Sequence, residues 1–259
     1  MAKRDAGATP SIQSLGRGLS ILEAVAESPE PVPLKHLTDL LGIDRSSVFR
    51  LANTLRQRRF LANPKGRKDY ILGPSAWRLS RKYGQSTFIP LCHEHLRQLG
   101  IKTGETAHLA VREGGQALFI DHHASPDQVV AVSGQTGEFV PLYCTAHGKA
   151  LILDFDANDL RGTFGAGALQ AYSRRTITSI DKLVKALALA RADGYTADDG
   201  EYLEEIRCVA APIRDQGGTV VASIGISAPS TRFPKSRWPL AARQVMDTAR
   251  AISATLSGV

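Results

Sequence analysis

Residues Leu34–Ile71 read LKHLTDLLGIDRSSVFRLANTLRQRRFLANPKGRKDYI. Two short helical patterns are joined by a tight turn and followed by a basic hairpin. Leu34, Leu37, Leu40 and Leu41 line one face of the first helix. Gly42 follows where a left-handed C-cap carries least strain. Asp44 then stands where a carboxylate can cap the next helix, accepting a free N–H near Ser46 or Ser47. A turn as short as Gly42-Ile43-Asp44 makes the two helices cross steeply. In the second helix Val48, Leu51, Ala52 and Leu55 take the buried stripe. That leaves Arg45, Ser46, Phe49, Arg50 and Asn53 facing outward.

Phe60-Leu61-Ala62 and Tyr70-Ile71-Leu72 flank Asn63-Pro64-Lys65-Gly66-Arg67-Lys68, which reads as a two-stranded wing with a basic tip. From Arg45 to Lys68 there are eight Lys/Arg and no Asp or Glu. A helix-turn-helix with a positive wing points to docking in a DNA groove. The outward face suits base reading: Arg to guanine, Asn to adenine, Phe against a thymine methyl. Ser46 and Ser47, at the helix start, suit phosphate contacts, as do Lys65, Arg67 and Lys68 on the wing.

The bulk numbers agree. The chain has 259 residues and a formal net charge of +7, a length comfortable for two domains. Residues 1–75 carry 12 Lys/Arg against 7 Asp/Glu, and the remainder 20 against 18. The basic character therefore sits in the part expected to meet phosphates. Cys92, Cys144 and Cys208 form no dense framework, which suits a reducing cytoplasm. No apolar run approaches the roughly 20 residues needed to cross a bilayer. MAKRDAGATP reads as a disordered lead-in over residues 1–10.

Leu15, Leu19, Leu22 and Ala26 recur at helical spacing, so a helix over about 14–28 is expected to bury that stripe. Residues 75–87 suggest a linking helix, and Phe88–Lys102 another. Short β-type runs follow at Thr106–Val111, Ala117–Asp121, Val129–Val132, Cys208–Ile213 and Val220–Ser227. Helices are expected near Ala146–Leu153, Ser179–Asp193 and Arg237–Leu256. The implied fold is α+β: a winged helix-turn-helix over 11–74, a linker helix over 75–87, and a second domain over 88–259 with a mainly antiparallel sheet.

Several blocks resemble one family closely. Ser14-Leu15-Gly16-Arg17-Gly18-Leu19 and the winged segment match at the N-terminus. Gly104-Glu105-Thr106-Ala107-His108-Leu109-Ala110-Val111, Thr145-Ala146-His147-Gly148-Lys149-Ala150 and Arg175-Thr176-Ile177-Thr178 match beyond it. Gly194-Tyr195 and Arg207-Cys208-Val209-Ala210-Ala211-Pro212 continue the order. From about Ser11 to Leu256 the chain resembles the IclR family of bacterial transcriptional regulators. The resemblance implies a GAF-like effector-binding domain, a dimer or tetramer, a palindromic or pseudo-palindromic operator, and a small organic acid or aromatic effector. No membrane partner and no cofactor are implied. It carries the effector pocket onto Val132, Val140, Ala146, His147, Gly148, Asp198, Ile206, Cys208, Gly225 and Ser227. Helix-start N–H groups near Ala146, His147 and Gly148 would hold a carboxylate, with Ser227 adding a donor. Three positions depart from the family's habit: His147 replaces a small or aliphatic residue, Gly225 a Ser, and Glu205 a Gly. A pocket-facing His and one lost hydroxyl favour an aromatic or larger carboxylate.

Cys144, His147 and Cys208 have part of a zinc spacing but no evident fourth ligand, so no metal is expected. His93 with His95, and His122 with His123, point to different faces of their elements. No G-x-S-x-G, Walker A or H-E-x-x-H pattern occurs, so no enzyme is expected. An architectural DNA-binding protein without ligand control is the alternative, against which the large second domain argues; a metal-sensing regulator built on Cys144, His147 and Cys208 ranks last.

Overall fold

The computed structural model describes residues 12–84, 88–124 and 134–256. The expected strand Val129–Val132, and Val132 as a pocket residue, lie outside the described residues. The chain divides into two compact units, Met1–Ser86 and Thr87–Val259.

In the first unit, α1 (Gln13–Glu27), α2 (Leu34–Leu41) and α3 (Arg45–Gln57) pack around Ile21, Val25, Leu37, Val48 and Ala52. Gly42 ends α2 at φ 61°, in the left-handed region, with its N–H donating to the Thr38 carbonyl. Asp44 caps α3 by accepting from Ser47 N at 2.9 Å. Strands β1 (Leu61–Ala62) and β2 (Ile71–Leu72) form the wing, with Leu61 opposite Leu72. Val32 adds a single antiparallel bridge to Tyr70. That bridge seals the base of the wing against the segment before α2, which the hairpin pattern alone did not foretell. Helix α4 (Pro74–Gly84) follows directly.

The expected face of α1 is corrected. Leu15 and Leu19 are 61% and 50% exposed, and Ala26 is exposed too. Gly18, Ile21 and Val25 are buried instead. Two apolar stripes share this helix, and the β-branched one fills the core.

The second unit is a single antiparallel sheet in the order β5-β4-β3-β8-β7-β6. Its strands are β3 (Thr106–Glu113), β4 (Gln116–His123), β5 (Phe139–Pro141), β6 (Thr196–Asp199), β7 (Ile206–Arg214) and β8 (Val220–Pro229). One face is covered by α5 (Phe88–Thr103) and α9 (Trp238–Leu256), through Leu96, Leu99, Val245 and Ile252 against Leu109, Val209, Ile224 and Ile226. The alternating strand residues point the other way, towards α6 (Ala146–Leu151), α7 (Ala157–Phe164) and α8 (Ile180–Asp193). Short β5 and β6 and helix α7 add to the expected elements. Among the described residues no helix is long and apolar enough to cross a membrane.

Candidate functional site

The first unit presents a concave groove of about 960 Å³ between α3 and the wing. Phe49, Asn53 and Arg56 lie one and two turns apart, so one helix face supplies all three. Arg45, Ser46, Arg67 and Lys68 also line it; Ser47, Arg50 and Lys65 lie outside its lining. Lys35 and Arg56 add cations that the sequence reading did not single out. The acid in the lining, Asp69, is already paired with Arg67 Nε at 3.0 Å. The wall is therefore strongly positive.

Hydrogen bonds join helix to wing. Arg56 donates to Asn53 Oδ1 at 2.9 Å and to Asn63 Oδ1 at 3.4 Å. Asn63 Nδ2 in turn donates to the Asp69 carbonyl at 2.8 Å. Phe49 is 52% exposed, an apolar ring left in solvent at the centre of a cationic surface. Ser46 Oγ donates to Asp44 Oδ1 at 2.5 Å, so its proton is committed to the cap. The Ser46 and Ser47 hydroxyls, followed by the Ser47 N–H, hold the Asp44 carboxyl well below the usual carboxylate range.

The second unit carries a pocket under β5, α6 and β6–β8. Val140, Ala146, His147, Asp198, Ile206, Cys208 and Ser227 line it together, and its free volume is about 40 Å³. His108, Phe119, Glu138, Thr145, Tyr202 and Leu203 complete the wall. The Thr106–Val111 alternation marked His108 as facing one side of the sheet, without showing which side held a cavity.

Gly148 and Gly225 fall outside the lining, and both are fixed by packing. A Cβ at Gly148 would lie 2.4 Å from Leu142 backbone atoms. One at Gly225 would lie 2.3 Å from the Val209 carbonyl oxygen and 2.7 Å from Ala210 Cα. A serine at Gly225 therefore needs a backbone shift. The Gly148 amide, expected to face a carboxylate, donates to Thr145 Oγ1 at 3.0 Å instead, because Thr145 caps α6. That expectation is corrected.

The pocket's titratable groups are set by burial. His147 is 1% exposed, and desolvation, with His108 adding to it, lowers its pKa well below the ordinary value. His108 is lowered to about 4, by burial first and His122 second, against a smaller opposing effect of the Gly134 backbone. Both imidazoles are neutral at pH 7. Asp198, 2% exposed, is raised to about 7 by burial, against the Lys149 charge that lowers it. Lys149 Nζ donates to Glu201 Oε1 at 2.5 Å, and the Glu201 amide donates to Asp198 Oδ1 at 2.6 Å. Cys208 Sγ donates to Ser227 Oγ at 3.1 Å. Burial pushes the Cys208 thiol well up, and the Cys144 thiol up to about 12. Neither is a nucleophile at neutral pH. Among the described residues, no group of three or more His, Cys, Asp or Glu is arranged to hold a metal.

Both units match known proteins. Residues 14–64 match the model of the IclR helix-turn-helix domain, and residues 85–254 that of the bacterial transcriptional regulator IclR C-terminal domain. The acetate operon repressor of Salmonella typhimurium is 30% identical, over 99% of this chain and 94% of its own length. The crystal structure of an IclR regulator from Alicyclobacillus acidocaldarius superposes with a TM-score of 0.84, at 22% identity, covering 96% of this chain and all of its own (100%). An IclR homologue from Microbacterium hydrocarbonoxydans complexed with 4-hydroxybenzoate has a TM-score of 0.79 at 19% identity, covering 94% of this chain and 98% of its own. Both halves match in order along nearly the whole chain, so this DNA-binding protein belongs to the IclR family of bacterial transcriptional regulators, not to a family of enzymes.

Proposed function

We propose that α3 docks in the major groove of an operator while the wing follows the neighbouring backbone. Arg45, Phe49, Arg50 and Asn53 read base edges; Lys65, Arg67 and Lys68 meet phosphates, and Ser46 and Ser47 join them only by exchanging their hydrogen bonds to Asp44 for bonds to a phosphate. The observation that carries this is the cationic groove with an exposed Phe49 at its centre. The exposed apolar residues Ile12, which precedes α1, Leu15 and Leu19 on α1, and Trp77 on α4 are the side chains through which two chains pair. A homodimer then sets two α3 helices on a palindromic or pseudo-palindromic site, and pairing of second units gives a tetramer. The working arrangement is a DNA-binding domain over 11–74, a linker helix over 75–87 and an effector domain over 88–259, acting in the cytoplasm.

The pocket binds a small organic effector, an aromatic acid fitting best. Val140, Ala146, Ile206 and Phe119 supply apolar wall. Burial raises the Asp198 carboxyl to about 7, so it can hold a proton near neutral pH, and the protonated form donates to a carboxylate. The relative complexed with 4-hydroxybenzoate supports this class of ligand. A volume of about 40 Å³ holds about one water. An effector therefore selects a wider form of the domain, and that differential affinity is what can shift DNA binding. A coupling of about 1–3 kcal/mol changes operator affinity about 5–150-fold.

Selecting bound duplexes from a random-sequence pool is the test. An enriched palindrome whose affinity responds to an aromatic acid supports the reading. Enrichment of no sequence would return the chain to architectural binding.

A further inference from the structure

His108 and His147 face the same pocket from opposite elements, β3 and α6. Each is 1% exposed. Their ring centres are 5.8 Å apart, edge to face, and Phe119 closes the third side at 4.7 Å from His108 and 5.3 Å from His147. His147 Nδ1 is held by Ser223 Oγ at 3.2 Å, but its Nε2 has no partner. Nδ1 of His108 is buried without one as well, while Gly134 packs beside its Nε2. Buried polar atoms are almost always satisfied, and an unsatisfied one is costly. Two such atoms on one wall of a cavity mark a place that something else completes.

We propose that His108 and His147 are the specificity-determining pair for the effector, receiving a ring hydroxyl at the end remote from its carboxylate. This rests on the effector reading above. A hydroxyl donates one hydrogen bond and can accept others, so it completes the pair whenever at least one of the two facing nitrogens carries its proton. A second carboxylate there would lie between uncharged rings with no cation in the lining. A bare ring edge would leave both nitrogens unpaired. The 5.8 Å between ring centres is about two hydrogen-bond lengths, an interval that one oxygen can bridge. The aromatic enclosure by Phe119 favours a planar ring as the carrier.

The experiment is calorimetric titration of the full chain with benzoate and with its 3- and 4-hydroxy derivatives. At least one hydroxylated acid should bind about 10–100-fold more tightly than benzoate. In His147→Phe and His108→Phe that ratio should fall towards one, each acid being compared with benzoate in the same variant, and His147→Gln should restore part of it. Equal affinity for all three acids overturns the histidine assignment and leaves the effector reading standing. So does a preference that survives in both Phe variants. If none of the acids binds, the aromatic effector reading falls, and this inference with it. Melting temperatures of the variants separate loss of recognition from loss of fold: a preference lost only in variants that no longer melt cooperatively counts against the pair, unless His147→Gln, folded, shows the intermediate ratio.

Discussion

Replacing Lys149 by Met should destabilise the second unit, and more at high pH than at low. Lys149 and Glu201 pair at 2.5 Å with side chains only 7% and 12% exposed, and Asp198 is buried beside them. Removing the ammonium leaves carboxylate charge in a poorly hydrated interior, which costs about 3–5 kcal/mol. At about 2–4 °C per kcal/mol for a unit of this size, the melting temperature should drop by about 6–20 °C. The pH dependence follows from Asp198. Its folded pKa, about 7, exceeds the unfolded value of about 3.9. The folded state holds that proton more tightly, so the wild-type contribution is full below about pH 4 and is lost as pH rises through 7. Lys149 is the charge that limits the rise. Without it the folded pKa climbs further, and the loss of stability continues above pH 7. Scanning calorimetry at pH 5 and pH 8 should find the larger deficit at pH 8. Lys149→Met with Glu201→Leu should recover much of it, since an apolar pair avoids the unpaired charge. A single variant within about 1 kcal/mol of wild type at both pH values, or with an equal deficit at each, would refute this account of the buried charges.

Arg50→Ala should cost operator binding about 1–3 kcal/mol and relax base preference, with effector-induced thermal shifts unchanged; an unchanged footprint removes Arg50 from the recognition face. Lys68→Ala should lower the slope of log affinity against log salt by about one, at similar cost for all sequences, as competition gel shifts over a salt series would reveal. Gly225→Ser should destabilise by about 1–3 kcal/mol in urea titration, because its Cβ meets Val209 and Ala210 backbone atoms. A neutral result there means β8 shifts freely.

The elements most legible in sequence were those announced by local chemistry. Gly42 and Asp44 marked both ends of the turn before α3, because a left-handed cap and an N-cap each demand particular residue types. Burial was harder to read where two apolar stripes compete. On α1 the leucines at 15 and 19 carry larger apolar side chains than Gly18 and Val25, yet the latter are buried in the core. Strand β6, Thr-Ala-Asp-Asp, looks like a loop by composition; Thr196 and Asp198 are buried because hydrogen bonds to the Ala146 carbonyl and from the Glu201 amide satisfy them. Seven of the ten expected pocket positions share one cavity. The chain separations involved, such as Ser223 with His147, carry no local signal. That is why His108 and Phe119 were not assigned to the pocket from the sequence.

The sheet of the second unit ends in two very short strands, β5 with three residues and β6 with four. A free sheet edge is a template on which another chain can add a strand, and length makes it effective. Here one edge stops at Pro141, which has no N–H to offer, and the other carries Asp198 and Asp199. Among the described residues the two outermost strands themselves thus offer a second copy little backbone to zip onto. The proposed pairing of second units would then fall to side chains on helices and loops, whose fit can be tuned by sequence and undone without unravelling a strand.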